Sequence, residues 1–389
     1  MGHSANKPIL PWPALAVGAL VAAAAVIIAL FVMDGRGGNG VGGSPTPGPT
    51  PTLGPSITGM IGYITPGGDF ALMDAYGNNQ RSLTSDGAAR SVTWSPDGSI
   101  AALEVGSGAA VAVRGVGPDG TVAFEIPGAS QPHWSPGGDK LAVMQNSTLA
   151  VYDPSGDQLR SFDHAALPAW SPGGAALAFL KVADDGQAVP VIGELETGAE
   201  EPLAAGIQPA EPVFPIAWHP AGDVIAYRDH LYEPSTGTTT ELPGTAVYWS
   251  PDGRILLVAG GFIPADNATP GLLLFASQGF EYKIGLSIRP SAEDIPPQLF
   301  IQKWTDWTPD GRYLFYLDPE PGRETRRLYD TVAIAQDRRT NIAGERPDVS
   351  PDGLTATFMY QDKVWVFPLD ASALAAVADG GYPAWQPAP

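Results

Sequence analysis

Four aspartates, Asp97, Asp252, Asp310 and Asp352, recur in one setting, a Ser or Thr followed by Pro, Asp and Gly. Carboxylates brought close together can act as general acid and base, and several of them around one point can hold calcium. An identical place in four separate turns points elsewhere, because an Asp in a tight turn accepts hydrogen bonds from its own backbone. We therefore expect these four to be structural. Asp266, Glu293 and Asp294 lie outside the repeats and are the carboxylates left for an alternative reading, a carbohydrate- or peptide-cleaving enzyme. The five histidines, His3, His133, His164, His219 and His230, have no second ligand at metal-binding spacing and are expected in turns or packed interiors. Cysteine is absent, which excludes disulfides and thiolate zinc sites. Neither G-x-S-x-G nor H-E-x-x-H occurs, and the two G-x-G-x-x-G strings at Gly35–Gly40 and Gly38–Gly43 lack a preceding strand. The expectation is no catalysis, no cofactor and no metal.

The elements that would position such residues are set by repetition. VTWSPDG, PHWSPGG, PAWSPGG, IAWHPAG, VYWSPDG, TDWTPDG, PDVSPDG and PAWQPAP place an aromatic or Val position at Trp94, Trp134, Trp170, Trp218, Trp249, Trp307, Val349 and Trp385. These anchors stand 31 to 58 residues apart, the period of a four-stranded propeller blade. Pro presets the turn and Gly supplies the left-handed conformation, so each copy reads as the hairpin between the first and second strands of a blade. Apolar runs follow: Ile100–Leu103, Leu141–Met144, Leu177–Leu180, Val224–Tyr227, Ile255–Val258, Tyr313–Leu317 and Leu354–Tyr360. They read as second strands buried between neighbouring blades, and the tryptophans as wedges. Residues 57–84 read as second, third and fourth strands without a first, and Gly381–Pro387 as a first strand with nothing after it. The C-terminal strand should therefore complete the N-terminal blade and hide two edges. The expected fold is an all-β, eight-bladed β-propeller over residues 57–389, with seven blades the alternative.

Ahead of the ring, residues 1–8 form a short tail. Within residues 9–33, the stretch Ala14–Met33 is nearly continuous apolar sequence, long enough to cross a bilayer as a helix. A cleaved signal is the competitor, but it would be shorter and end in a small-residue site that LFVMDGR lacks. Residues 34–56 are Gly, Pro, Ser and Thr almost throughout and read as a stalk. A large domain behind so short a tail is expected outside, so the localisation is the cell membrane, single-pass, with the propeller extracytoplasmic. Only Lys7, Asp34 and Arg36 are charged before residue 57, which leaves 19 basic and 40 acidic side chains in the ring. Such a surface repels phosphate backbones, and nucleic acid is not an expected partner. The one basic cluster, Arg323, Arg326, Arg327, Arg338 and Arg339, falls in a single repeat.

The run VTWSPDGSIAAL, echoed in VYWSPDGRILLVAG and TDWTPDGRYLFYL, resembles the TolB-type propeller repeat, a relative of W-D repeats. The resemblance covers residues 57–389 and implies protein interaction or scaffolding in a bacterial envelope. The chain differs from that family in carrying an anchor and stalk where TolB has a separate N-terminal domain. The longest insertions, Ala205–Pro215, Gly260–Gly271, Ser287–Lys303 and Asp318–Arg327, all fall on the face opposite the Ser-Pro-Asp-Gly turns. Loops on a rigid ring are a usual seat of recognition. Phe214, Phe262, Ile263, Phe300 and Ile301 are accordingly the expected contacts for a protein, peptide or envelope glycan.

Overall fold

The computed structural model describes residues 57–203, 216–222, 224–242, 245–263, 266–276, 282–286, 305–316, 325–330, 335–340, 344–369 and 374–387. The expected span at residues 9–33 and the stalk lie outside them. Among the described residues no helix is long and apolar enough to cross a membrane.

The described strands group into eight four-stranded antiparallel sheets. Seven follow chain order, running from Ala89–Trp94 to Val122–Pro127 (sheet 1), Ala129–Trp134 to Gln158–Phe162 (sheet 2) and Ala165–Trp170 to Glu200–Pro202 (sheet 3). Next come Ile216–Trp218 to Thr238–Glu241 (sheet 4), Thr245–Trp249 to Tyr282–Leu286 (sheet 5), Thr305–Trp307 to Ala335–Thr340 (sheet 6) and Glu345–Val349 to Ala375–Asp379 (sheet 7). The closing sheet joins both ends of the ring. Gly381–Trp385 pairs with Met60–Ile64 through Ile61 with Trp385 and Gly62 with Ala384, and Phe70–Asp74 and Arg81–Ser82 follow outward.

The burial of each strand follows its place in the sheet. Second and third strands are buried on both faces, as in Ala101–Val105 and Leu141–Gln145, and are correspondingly Ala, Val and Leu rich. Fourth strands are polar and exposed, as in Gln158–Phe162 and Thr238–Glu241, which suits an outer edge. First strands of most successive sheets approach one another, as Thr305–Trp307 does Glu345–Val349 and Gly381–Trp385 does Ala89–Trp94, and so face the axis.

Apolar clusters lie between sheets, not within them. One joins Val364 and Val366 of sheet 7 to Ile61, Met73 and Trp385 of the closing sheet, and the next joins Phe70 and Leu72 to Trp94 and Leu103 of sheet 1. Comparable clusters bridge sheets 1 to 2, 2 to 3, 3 to 4 and 4 to 5. Phe315 stacks on Phe367 with centroids 6.0 Å apart, bridging sheets 6 and 7. The circuit of packed sheets is a β-propeller.

Two repeated devices hold neighbouring sheets in register. Three of the Trp wedges donate backward across the seam, Trp134 Nε1 to the Thr93 carbonyl at 3.4 Å, Trp170 to His133 at 2.9 Å and Trp249 to Ala217 at 3.2 Å, whereas Trp218 donates to Gly222 of its own turn. Turn glycines lie against the preceding turn. Gly98 adopts φ +68°, and a Cβ there would sit 2.2 Å from the Pro387 carbonyl oxygen, so the left-handed turn and the close approach both require glycine.

First strands carry a bulge that the sequence reading did not anticipate. Gln131, Leu167, Arg346 and Tyr382 have φ between 51° and 56°, each is followed by proline, and the ladder slips beside each one. Proline has no N–H to lose from a ladder, which makes a bulge its natural place in a strand. The stretch Gly260–Gly271 corrects an expectation. It is not a loop: Ile255–Ile263 and Asp266–Ala276 form one long hairpin, with Phe262 opposite Pro270 and Ile263 opposite Asp266.

Candidate binding face and the inter-sheet seams

The repeated carboxylates are engaged within their own turns. Ser95 Oγ donates to Asp97 Oδ1 at 2.6 Å and accepts from Ile100 N–H at 3.0 Å, while Asp97 Oδ1 also accepts from Ser99 N–H. The same pattern joins Ser250 to Asp252, Thr308 to Asp310 and Ser350 to Asp352. Where the turn reads Ser-Pro-Gly-Gly, Asp139 moves two places on and still accepts from Ser135 Oγ at 2.9 Å. The Ser95 hydroxyl holds the Asp97 carboxyl below the usual range, and the Thr308 hydroxyl does the same for Asp310. These four aspartates are turn staples.

His219 replaces Ser in its turn and keeps a structural role. Its Nδ1 accepts from Ala221 N–H, which leaves Nε2 as the donor to the Gly253 carbonyl of the next sheet at 3.0 Å. Its ring meets Trp249 edge-on at 4.7 Å. His230 pairs with Asp229, and His133 lies exposed on its first strand, where its carbonyl accepts from Trp170 Nε1. Among the described residues no three His, Asp or Glu side chains could hold a metal.

The least expected site lies one residue before the Trp position. There Tyr248, Asp306 and Asp348, on three consecutive first strands, each reach the next sheet. Tyr248 Oη lies 2.5 Å from Thr305 Oγ1. Asp306 Oδ2 accepts from Val349 N–H at 2.7 Å, and its other oxygen accepts from Trp307 N–H at 2.8 Å. Asp348 Oδ2 accepts from Trp385 N–H at 2.5 Å. Burial pushes the Asp306 carboxyl up to about 7, and burial followed by the neighbouring Asp306 charge raises Asp348. Both side chains are half-buried and keep a partly accessible surface. Aligning the repeats on the Trp column would have found them, since TDW and PDV are the two copies with Asp before that column.

Opposite the turns lies the face made by second-to-third hairpins. The ribbon of sheet 5 dominates it, because its strands are 9 and 11 residues long and those of the other second-to-third hairpins are 3 to 7. Its flanking strands pair only with Leu256–Ala259 and Leu272–Phe275, so the distal part of the ribbon extends past both. Phe262 and Ile263 belong to that distal part, as does Asp266. Phe214, Phe300, Ile301, Glu293 and Asp294 lie outside the described residues. A groove of about 550 Å³ opens between sheet 7 and the closing sheet, lined among others by Tyr63, Gln80, Lys363 and Asp379. Of the basic cluster, Arg326, Arg327, Arg338 and Arg339 fall on the two outer strands of sheet 6, with Arg326 directly opposite Arg339, and Arg323 lies outside the described residues.

Both ends of the described ring lie on the turn side. Ile57 precedes a second strand, its N–H donates to Tyr76 Oη at 3.1 Å, and Gln386 Nε2 reaches the Gly98 carbonyl of the sheet 1 turn at 2.8 Å. The face bearing the long ribbon is therefore directed away from the point where residue 56 joins the ring.

No family model matches the chain, and no curated protein matches it in sequence. Among solved structures, a eukaryotic initiation factor superposes with a TM-score of 0.55 at 13% identity, over 86% of this chain and 99% of that one. TolB from Acinetobacter baumannii gives a TM-score of 0.36 at 12% identity over 73% and 82% of the two chains. A mitotic checkpoint complex structure gives 0.44 at 16% identity over 73% and 95%. The first of these likenesses establishes a shared fold.

Proposed function

We propose that this chain is a membrane-anchored, extracytoplasmic eight-bladed propeller that binds a protein, peptide or envelope glycan through its hairpin face. The observation that carries the reading is the ribbon Ile255–Ile263 with Asp266–Ala276, which stands beyond its own sheet on the side opposite the tethered chain end. The ring supplies rigidity, because its repeated carboxylates staple their own turns while its tryptophans and turn glycines pack one sheet against the next. A ribbon on such a base keeps its shape on binding, and prolines at 264 and 270 lower the ordering cost further. The apolar stretch within residues 9–33 supplies the anchor, and the Gly/Pro stalk supplies reach.

The test is a pulldown on envelope extract, with glycan and peptide arrays, comparing wild type with Phe262→Ala/Phe300→Ala. The reading expects at least one wild-type ligand to be lost in the double variant while the melting temperature is kept. Retention of every ligand would remove the hairpin face as the site.

A further inference from the structure

The seams of the ring are not chemically alike. Between sheets 1 and 2, 2 and 3, and 4 and 5, a neutral indole bonds a neutral carbonyl, and at the first of these seams the lone carboxylate Glu104 also accepts from Gln131 N–H at 3.1 Å. Between sheets 6 and 7, and between sheet 7 and the closing sheet, a carboxylate bonds a main-chain N–H, and the two carboxylates lie near enough to repel. The second of these seams is also where the chain ends are joined.

We propose that the run from Asp306 through Asp348 to Trp385 is a proton-gated latch, holding the ring shut while the two carboxylates keep a proton between them and loosening it when both are ionised.

A carboxylate accepting a main-chain N–H is stabilised by that bond, but two such groups in adjoining, half-buried seams cannot both carry charge without mutual cost. Of the titratable groups packed around the pair, Tyr248 lies on the sheet 5 side and is bonded to Thr305. Arg346, on the strand of Asp348, lies over the Tyr382 ring of the closing sheet at 4.3 Å, and Arg312 lies over Tyr313. Asp310 and Asp352 are bonded in their own turns, and Glu345 shares the strand of Asp348. No cation is among the groups acting on either carboxyl within the described residues. Among the described residues a proton is therefore the species left to relieve the repulsion.

The direction follows from linkage. Folding raises both carboxyls above the ordinary Asp value near 3.9, so the folded ring binds more protons than the open one. The latch contributes fully below about pH 4, and its contribution is lost as pH climbs toward about 7, where Asp306 titrates.

Hydrogen exchange of Gly381–Trp385 in the full-length chain, followed from pH 5 to 8 and corrected for intrinsic exchange, tests the latch. Opening of that strand should rise by at least about 10-fold across the range, the change that one unit of pKa shift delivers. Exchange in sheets 1 to 3 should not follow it. Asp348→Asn should flatten the profile. Asp306→Asn, which removes the repulsion from the other side and keeps an acceptor for Val349, should flatten it independently if the first variant folds poorly. Protection of Gly381–Trp385 that is constant with pH in wild type, or an unchanged profile in both variants, overturns the proposal.

Discussion

Gln386 Nε2 donates to the Gly98 carbonyl at 2.8 Å and so joins two residues 288 positions apart, one just past the last strand and one in the first complete sheet's turn. With the Ile61–Trp385 pairing beside it, that bond makes the ring a closed object whose integrity depends on its last few residues.

Trp385→Ala tests this dependence. The indole is 4% exposed and packs among Ile61, Val364 and Val366, so its loss opens a cavity at the closure. A loss of about 3–5 kcal/mol is expected by denaturant titration, as for other buried aromatic truncations. An unchanged midpoint would mean that the ring is not held at this point.

Gly98→Ala and Gly237→Ala separate steric from conformational cost. Both glycines have φ near +70°, so each alanine carries the left-handed penalty of about 1–2 kcal/mol. Only at Gly98 would the new methyl also strike the Pro387 carbonyl, whereas nothing lies within 4 Å at Gly237. Gly98→Ala should therefore be the more destabilising of the two, and equal melting temperatures would contradict the turn-on-turn contact.

Asp97→Ala distinguishes a staple from a catalytic group. It removes acceptors for Ser95 and Ser99 and should cost about 1 kcal/mol while leaving ligand capture intact. Because the Asp97 carboxyl is held low by the Ser95 hydroxyl, its contribution is present above about pH 4 and fades as pH falls below that, the reverse of the latch. Comparing melting temperatures of wild type and variant at pH 7 and pH 3 should show the gap narrowing in acid.

The anchoring proposal is checked with a single introduced thiol, since the chain has no cysteine. Ser235→Cys lies in an exposed turn of sheet 4. Labelling of intact cells by a membrane-impermeant maleimide, together with sedimentation of the protein with membranes, is the expected result. Protection until lysis would place the ring on the other side.

Sequence periodicity made the sheets and their closure legible because the Ser-Pro-Asp-Gly turn carries local chemistry in every copy. Asp97 and Asp352 announce a turn whatever surrounds them. Asp306 and Asp348 were missed for the converse reason: their meaning lies across a seam, in Val349 N–H and Trp385 N–H, and no single copy marks it, only the comparison of copies in which TDW and PDV stand apart. The left-handed residues before Pro132, Pro168, Pro347 and Pro383 were hidden because proline within a run reads as a break, whereas a bulge absorbs it. Gly260, Gly261 and Pro270 disguised the sheet 5 ribbon in the same way. Of the expected contacts, Phe262 and Ile263 share that ribbon, a placement that only strand pairing reveals.

The chain leading to Met60 runs straight into a strand flanked on both sides, by Gly381–Trp385 and by Phe70–Asp74. A pull transmitted along residues 34–56 would therefore act parallel to two ladders at once, loading their bonds in shear instead of peeling them one by one. If residues 9–33 anchor the chain as proposed, traction would be met where the toroid is stitched by its own far end, and the fastening there would set how much force the molecule withstands.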